Sequence, residues 1–366
     1  MRVVTGTPHP ADLEPLRSTL EFHRGLTGYE PTPLVDAEST ARELGLEQLL
    51  IKDESSRFGL PAFKVLGASW AIAQLLGGGS DLTELRRSAD RLGIRRLTTA
   101  TDGNHGRAVA RMAAALGLEA TIYVPAAMTA VRRSAITDEG ATVVDVDGGD
   151  DQAVRTAAAD AAGDPGCRAV NDADLDGSSP VAGWVIEGYS TLFAEIDEQT
   201  GGADLDLVML QTGVGAFAAC GTRWAKAHNA AAVAVDPRGA ACVATSLAQG
   251  RPVTIERTPT VMAGLDAGTP STTAWPSLQA GLWGAVVVTD EEADRAMRSL
   301  AAEGIESGES GAAGLAGLRA LLDDPVCAPL LAQVGRPRSV LVVVTEGATD
   351  PVRYRQVLAG GTGVAR

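Results

Sequence analysis

A single lysine, Lys64, stands between two apolar runs at the predicted start of a helix, within the segment Arg57 to Ser69. Burial among apolar neighbours favours the neutral amine over the ammonium ion, and the neutral amine is the form that attacks an aldehyde. This placement is typical of a lysine that forms a Schiff base with a cofactor. Because a lone lysine on a helix is usually a solvated surface residue, the interpretation depends on other residues of the chain.

A short polar segment, residues 101–107, could supply a second set of contacts, since it follows a predicted strand and opens a predicted helix. Gly103 and Gly106 permit a tight loop in which the backbone approaches a ligand closely. Asn104 offers both a hydrogen-bond donor and an acceptor, and Asp102 adds a carboxylate. The same sequence would also suit an ordinary loop that caps a helix.

A glycine-rich loop at residues 211–218 follows another strand-like run. The backbone N–H groups of such a loop, with the positive end of the next helix, bind phosphate without a basic side chain. Gly213, Gly215 and Ala218 also fit the dinucleotide pattern G-x-G-x-x-A, and Asp236 follows at about the spacing of a ribose-binding acid. A phosphate loop, an NAD-dependent oxidoreductase and a plain strand-to-helix turn are therefore all open interpretations.

Two further glycine-rich segments, 306–311 and 343–347, lie near the carboxyl end of the chain. The second places Thr345 directly after a predicted buried strand. A hydroxyl at that edge of a sheet could hydrogen-bond a ring nitrogen of a cofactor. Taken alone, each segment is also consistent with an ordinary loop.

The composition excludes several classes of function. The chain has 366 residues with a net charge of -15 and a pI near 4.7, which argues against nucleic-acid or anionic-membrane partners. It has no signal-peptide pattern and no apolar run long enough for a membrane span. Its four cysteines and four histidines show no metal-ligand spacing, so we expect no metal site and reduced thiols in a cytoplasmic protein.

Short apolar runs alternate with longer helical stretches, which predicts an α/β protein with mainly parallel strands. Strands are predicted at 49–52, 96–99, 120–124, 142–146, 207–211, 231–235, 285–289 and 340–345, and the clearest helices at 107–117 and 151–162. Polar stretches at 77–90 and 199–206 are candidate crossings between domains. We expect a large domain from residues 1–90 and 200–366 and a smaller inserted domain from 91–199.

Together the motifs resemble one family, the diaminopropionate ammonia-lyases among the fold type II, or tryptophan synthase β-like, pyridoxal-phosphate enzymes. The resemblance runs through most of the chain and comprises residues 52–64, 101–107, 211–216, 262–270, 307–311 and 345–350. It implies two α/β domains, each with a mainly parallel sheet flanked by helices. The dinucleotide interpretation assigns no role to Lys64, Asn104 or Thr345.

The resemblance also implies how the cofactor would be held. Lys64 would carry pyridoxal phosphate as a Schiff base, Asn104 would hydrogen-bond the cofactor's 3-oxygen, and Thr345 would face its pyridine nitrogen. The phosphate would be bound by the backbone of Gly213, Val214, Gly215 and Ala216.

The implied reaction is elimination of ammonia from D- or L-2,3-diaminopropionate to give pyruvate and ammonia through aminoacrylate. Asp102 would remove the Cα proton of the D-isomer and Lys64 that of the L-isomer, with Asp172 as the second acid-base group. The implied assembly is a homodimer.

The sequence departs from the family at two places near these residues. Pro61 stands where a small polar residue is usual, and Asp172 is followed by Ala173 and Asp174 instead of the expected aromatic residue. Asp174 is thus an alternative to Asp172. Open alternatives for the function are a β-replacement enzyme, a serine or threonine dehydratase-like enzyme, an NAD-dependent oxidoreductase and a binding protein that keeps the fold without catalysis.

Overall fold

The protein contains two sheets of mainly parallel strands. The computed structural model describes residues 1–8, 13–14, 16–101, 103–174 and 177–361. The strands are β1 (Val3–Thr5), β2 (Leu34–Asp36), β3 (Gln48–Asp53), β4 (Arg96–Ala100), β5 (Glu119–Pro125), β6 (Thr142–Val146), β7 (Cys167–Ala169), β8 (Leu207–Gln211), β9 (Ala231–Pro237), β10 (Leu282–Val288) and β11 (Ser339–Val344).

The helices that cover these sheets begin soon after the strands end. They are α1 (Leu20–Arg24), α2 (Glu38–Leu44), α3 (Lys64–Leu75), α4 (Leu82–Leu92), α5 (Asn104–Leu116), α6 (Ala130–Thr137), α7 (Asp150–Gly163), α8 (Val181–Gly188), α9 (Ser190–Thr200), α10 (Ala216–Ala227), α11 (Cys242–Gln249), α12 (Trp275–Gly281), α13 (Asp290–Ala302), α14 (Glu309–Asp323), α15 (Ala328–Val334) and α16 (Pro351–Leu358). No helix in the described part of the chain is long and apolar enough to cross a membrane.

The larger sheet has the order β1-β10-β9-β8-β11-β3-β2 within the described residues. Its five inner strands run parallel, and the edge strands β1 and β2 pair antiparallel. The inner strands are runs of Val, Leu, Ile and Ala because helices cover both faces of the sheet. Their carboxyl ends therefore meet at one edge, where ligand sites of parallel sheets form.

The smaller sheet has the order β6-β5-β4-β7, with every pair parallel. We call residues 96–169, which contain this sheet, the small lobe. The seven-stranded sheet and the helices packed on it are called the large lobe. The division of the chain into domains at residues 90 and 200 stays a prediction.

All eight predicted strands occur in the structure, some with bounds that differ by a few residues, and the structure adds three more among the described residues. β1, β2 and β7 were not predicted, because a strand of three residues is too short to show a period-two pattern. The stretch predicted as a polar crossing, 77–90, contains most of α4. Asp81 starts that helix by accepting hydrogen bonds from the backbone N–H groups of Thr83 and Glu84.

Close packing of α3 against α8 fixes the helix that carries Lys64 at its first position. A Cβ on Gly67 would lie 2.7 Å from Cε1 of Tyr189, and one on Gly188 would lie 2.5 Å from the carbonyl oxygen of Leu66. Two glycines therefore let the helices approach at backbone distance. Larger residues there would displace α3.

A buried ionic cluster anchors the chain between β3 and α3. Glu195 on α9 accepts from Lys52 Nζ at 2.7 Å and from Arg57 Nη1 at 2.7 Å, while Arg57 Nη2 donates to Glu54 at 2.5 Å. The four side chains are at most 1% exposed. Opposite charges this deeply buried are stable only as a complete set. The cluster therefore holds the segment that leads into Lys64.

Candidate functional site

The candidate site is a cleft between the two lobes that encloses about 1180 Å³, counting the space at its open mouth. It lies where strands of both sheets end, because the loops after those strands supply its walls. The lining residues include Lys64, Thr101, Asn104, His105, Asp172, Gln211, Gly213, Val214, Gly215, Ala216, Gly264, Ser310, Thr345 and Glu346.

An ion pair joins Lys64 and Asp172 across the cleft. Lys64 Nζ donates to Oδ2 of Asp172 at 2.8 Å, and both side chains are about one-fifth exposed, at 20% and 18%. Burial by itself would raise the pKa of Asp172, but the Lys64 ammonium outweighs it and holds that pKa below its ordinary value. The carboxylate is thus ionised and forms the charge partner of the Lys64 ammonium group.

His105 lies close to this ion pair, and its imidazole is neutral. Burial lowers the pKa of its imidazole. Nε2 lies 2.7 Å from the carbonyl oxygen of Val170, so it carries the proton and donates. The opposite nitrogen, Nδ1, lies 3.9 Å from Asp172 and has no hydrogen-bond partner among the described residues. His105 therefore supports the wall behind Asp172 without neutralising it.

Asn104 links the small lobe to the end of β11. Its Nδ2 donates to Oε2 of Glu346 at 2.5 Å, and Oε1 of Glu346 accepts from the backbone N–H of Ser310 at 3.2 Å. Asn104 is the first residue of α5, so its side chain projects from a helix start into the cleft. The contact places an amide donor opposite the carboxyl edge of the large sheet.

The loop between β8 and α10 forms a cradle of backbone N–H groups. Gly215 has φ +93°, and a Cβ there would lie 2.6 Å from Cδ1 of Leu278, so only glycine fits. The N–H groups of residues 213–216 donate to no backbone carbonyl in the described part of the chain. Unpaired N–H groups at the start of a helix are typical of anion sites, as the sequence predicts for this loop.

Asp236 lies beneath this loop and does not face a ligand. Its side chain is fully buried, with Oδ1 accepting from the Thr212 hydroxyl and Oδ2 from the N–H of Ala244 at 2.8 Å. A ribose-binding acid must present free carboxylate oxygens to the ligand. The geometry therefore gives no support to the dinucleotide interpretation and assigns Asp236 to holding the loop.

Thr345 lines the cleft, and a hydrogen bond sets the orientation of its hydroxyl group. Its Oγ1 accepts from Gln211 Nε2 at 3.0 Å, and the same nitrogen donates to the carbonyl of Val343 at 2.8 Å. With one lone pair occupied by Gln211, the hydroxyl proton is left to donate to a ligand. Both side chains are buried, at 5% and 2% exposed.

The cleft brings together Lys64, Asn104, Asp172, residues 213–216 and Thr345. Asp102 lies outside the described residues. Asp174 is buried away from the lysine, where its carboxylate accepts from the N–H of Gly177 at 3.0 Å. The geometry thus favours Asp172 over Asp174 as the group beside Lys64.

Gln211, His105 and Glu346 also line the cleft, although no role was predicted for them. A signal existed for Glu346, since an acid two residues after a buried apolar strand is unusual. Gln211 ends the apolar strand β8 in the same way.

Comparison with known proteins agrees with this geometry. Residues 26–345 match the family model described as "Pyridoxal-phosphate dependent enzyme". The chain is 36% identical to diaminopropionate ammonia-lyase of Escherichia coli strain K12 over 93% of this chain and 90% of that protein. It is 34% identical to the same enzyme of Salmonella typhimurium strain LT2 over 77% and 74%.

A solved structure extends the similarity to the fold. It is the crystal structure of diaminopropionate ammonia lyase from Escherichia coli in complex with an aminoacrylate-PLP azomethine reaction intermediate. It superposes with a TM-score of 0.86 at 33% identity, covering 97% of this chain and 96% of that one. The predicted fold class is confirmed.

Proposed function

Because the chain belongs to the family of pyridoxal-phosphate dependent enzymes, we propose that it eliminates ammonia from 2,3-diaminopropionate to give pyruvate and ammonia. The observation that carries this proposal is the Lys64–Asp172 ion pair, which places an amine and an ionised carboxylate together above a backbone anion cradle. A small amino acid that bears a second ammonium group suits such a site.

The residues present fit pyridoxal phosphate. The N–H groups of Gly213, Val214, Gly215 and Ala216 lack backbone partners in the described part of the chain and would hold the phosphate. Lys64 would bind the aldehyde carbon, Asn104 the 3-oxygen and Thr345 the pyridine nitrogen. A phosphate site made of backbone groups also suits a chain whose net charge is -15.

When bound, pyridoxal phosphate supplies an aldehyde for the substrate's amine and a conjugated ring that withdraws electrons from Cα. Thr345 offers the ring nitrogen a neutral hydroxyl rather than a carboxylate. A neutral partner leaves the nitrogen largely unprotonated, which makes the ring a weaker electron sink. This tuning suits rapid loss of a leaving group from Cβ.

The side chains around the substrate manage its protons and charges. Lys64, once its amine is released, would take the Cα proton of the L-isomer, and Asp102 would take that of the D-isomer. Asp172 would pair with the second ammonium group. Loss of positive charge at Lys64 removes the largest effect that lowers the pKa of Asp172, so this pKa then rises and the carboxyl can exchange a proton with the departing amine.

We propose further that the enzyme is a cytoplasmic homodimer. All four cysteines are buried free thiols, which is compatible with a reducing compartment. The homodimer is the assembly that the family resemblance implies.

The purified protein, with pyridoxal phosphate added, should release two molecules of ammonia for each pyruvate from D- or L-diaminopropionate. Serine, threonine and their O-acetyl or O-phospho derivatives serve as competing substrates. Preferred release of keto acid from serine or threonine would favour a dehydratase. A new β-substituted amino acid in place of pyruvate would favour β-replacement.

Variants separate the roles of the site residues. Lys64→Ala should abolish turnover. Asp172→Asn should reduce kcat on diaminopropionate by about a hundredfold or more, the usual contribution of an acid-base group. The matched control is Asp138→Asn, which removes an exposed aspartate just after α6 and should leave kcat unchanged. Equal kcat values for the two aspartate variants would refute the role of Asp172.

A further inference from the structure

Glu346 is a buried carboxylate whose role the proposed reaction does not explain. It follows Thr345 at the end of β11 and is 6% exposed. It lines the cleft, yet it belongs to the large lobe while its partner Asn104 belongs to the small lobe. The hydrogen bond between them therefore crosses from one sheet to the other, between residues 242 positions apart.

Both oxygens of Glu346 accept hydrogen bonds from different donors. Oε2 accepts from Asn104 Nδ2 at 2.5 Å, and Oε1 accepts from the N–H of Ser310 at 3.2 Å. Because Ser310 is the second residue of the buried helix α14, this second bond fixes the carboxylate against the large lobe. A carboxylate fixed in this way presents one oxygen in a constant place.

The carboxylate determines which way the Asn104 amide faces. A carboxylate only accepts hydrogen bonds, so the nitrogen of Asn104, not its oxygen, must face Glu346. The amide nitrogen carries two hydrogens, and the second remains available to a ligand. Without Glu346, the amide would be free to turn and present its oxygen, which would repel the electron-rich 3-oxygen of the cofactor.

We propose that Glu346 is a positioning residue for Asn104: it holds the amide so that the second N–H serves the 3-oxygen of pyridoxal phosphate, and it joins the small lobe to the large lobe. This inference rests on the proposed function, in which Asn104 contacts that oxygen.

Glutamine is an informative replacement at this position. Glu346→Gln keeps the size of the side chain but has one acceptor oxygen instead of two. The glutamine amide can satisfy either Asn104 or the N–H of Ser310, and its own NH₂ group then faces the other donor. The orientation of Asn104 is lost while the packing is kept.

The test is a double-mutant cycle of the parent, Glu346→Gln, Asn104→Ala and the double variant. The dissociation constant of pyridoxal phosphate is measured by fluorescence titration, and the visible absorption spectrum of the bound cofactor is recorded against pH. Glu256→Gln, an exposed glutamate of the large lobe, is the control for loss of charge. If Glu346→Gln does not accumulate as folded protein, Glu346→Asp replaces it in the cycle.

We expect each single variant to weaken cofactor binding about tenfold, the effect of one hydrogen bond, and to change the pH dependence of the spectrum. The double variant should be no weaker than Asn104→Ala, because Glu346 acts through that amide. Additive losses, or a spectrum and affinity equal to those of Glu256→Gln, would overturn the inference. A parent protein that binds the cofactor but does not turn over diaminopropionate would instead refute the proposed substrate, and the cycle would still decide the role of Glu346.

Discussion

The buried carboxyl of Asp236 should make the stability of this protein depend on pH in a defined direction. Burial raises its pKa to about 7 from the ordinary 3.8, against the opposing effect of the hydrogen bonds from Ala244 and Thr212. The folded state therefore binds the proton more tightly than the unfolded state does. The stability contributed by this proton is complete below pH 3.8 and is lost as the pH rises through about 7.

The size of the effect follows from the two pKa values. The difference between about 7 and 3.8 corresponds to about 4 kcal/mol of lost stability once the carboxyl is fully ionised. Between pH 5 and pH 8 the expected loss is about 2.5 kcal/mol. This is a large part of the net stability of a folded domain.

Asp236→Asn removes the titration while it keeps the geometry. The asparagine oxygen can accept from the N–H of Ala244, and its NH₂ can donate to Thr212 Oγ1, whose own proton then turns to the carbonyl of Val235 at 3.2 Å. Urea unfolding, followed by tryptophan fluorescence at pH 5 and pH 8, measures the free energy of unfolding of both proteins. The parent should lose about 2.5 kcal/mol more than the variant between the two pH values.

Asp138→Asn is the control, because it removes an exposed aspartate and should follow the parent at both pH values. Identical pH dependence in the parent and in Asp236→Asn would refute the reasoning. The same holds if the variant is less stable by a constant amount at both pH values, because the pH dependence of the parent would then not come from Asp236.

Two further substitutions test the buried ionic cluster and the helix packing that position Lys64. Glu195→Gln should lower the free energy of unfolding by about 3 to 5 kcal/mol in urea unfolding, because it removes the carboxylate paired with the buried Lys52 and leaves Arg57 with Glu54 alone. An unchanged midpoint would contradict this. Gly67→Ala should cost about 1 to 3 kcal/mol and weaken cofactor binding, since its Cβ would meet Tyr189 at 2.7 Å. Gly183→Ala in α8 is its control, because the atom nearest to an added Cβ lies 3.7 Å away. Thermal unfolding should show that this variant is as stable as the parent or more stable. Equal losses of stability in both variants would refute the packing argument.

The sequence was most informative where a strand contains a run of apolar residues between two turns. β8 and β6 occur with the predicted bounds, because apolar runs bounded by turns leave little choice of structure. β2 and β7 could not be predicted, since each has only three residues, and β7 also pairs with a strand that is distant in sequence. Their positions are set by tertiary pairing rather than by local pattern.

The site residues were predicted from sequence motifs, but the contacts that position these residues were not predicted. Asp172 was predicted as the second acid-base group with Asp174 as an alternative, and only the three-dimensional arrangement shows Asp172 at 2.8 Å from Lys64. The contact between Asn104 and Glu346 joins residues that are far apart in the chain. No spacing rule relates two such residues, because the distance between them depends on how the two lobes pack.

The pairing of β3 with β11 has a consequence for how the chain acquires its structure during synthesis. Gln48 lies opposite Ser339, so the larger sheet cannot close until nearly the whole chain has emerged. The strands of the smaller sheet all fall between residues 96 and 169 and pair with one another. Local pairing forms sooner than distant pairing, so the small lobe is complete while β3 still waits for its partner. Until then, one edge of β3, the apolar strand that precedes Lys64, has no partner, and an unpaired strand edge is prone to aggregation.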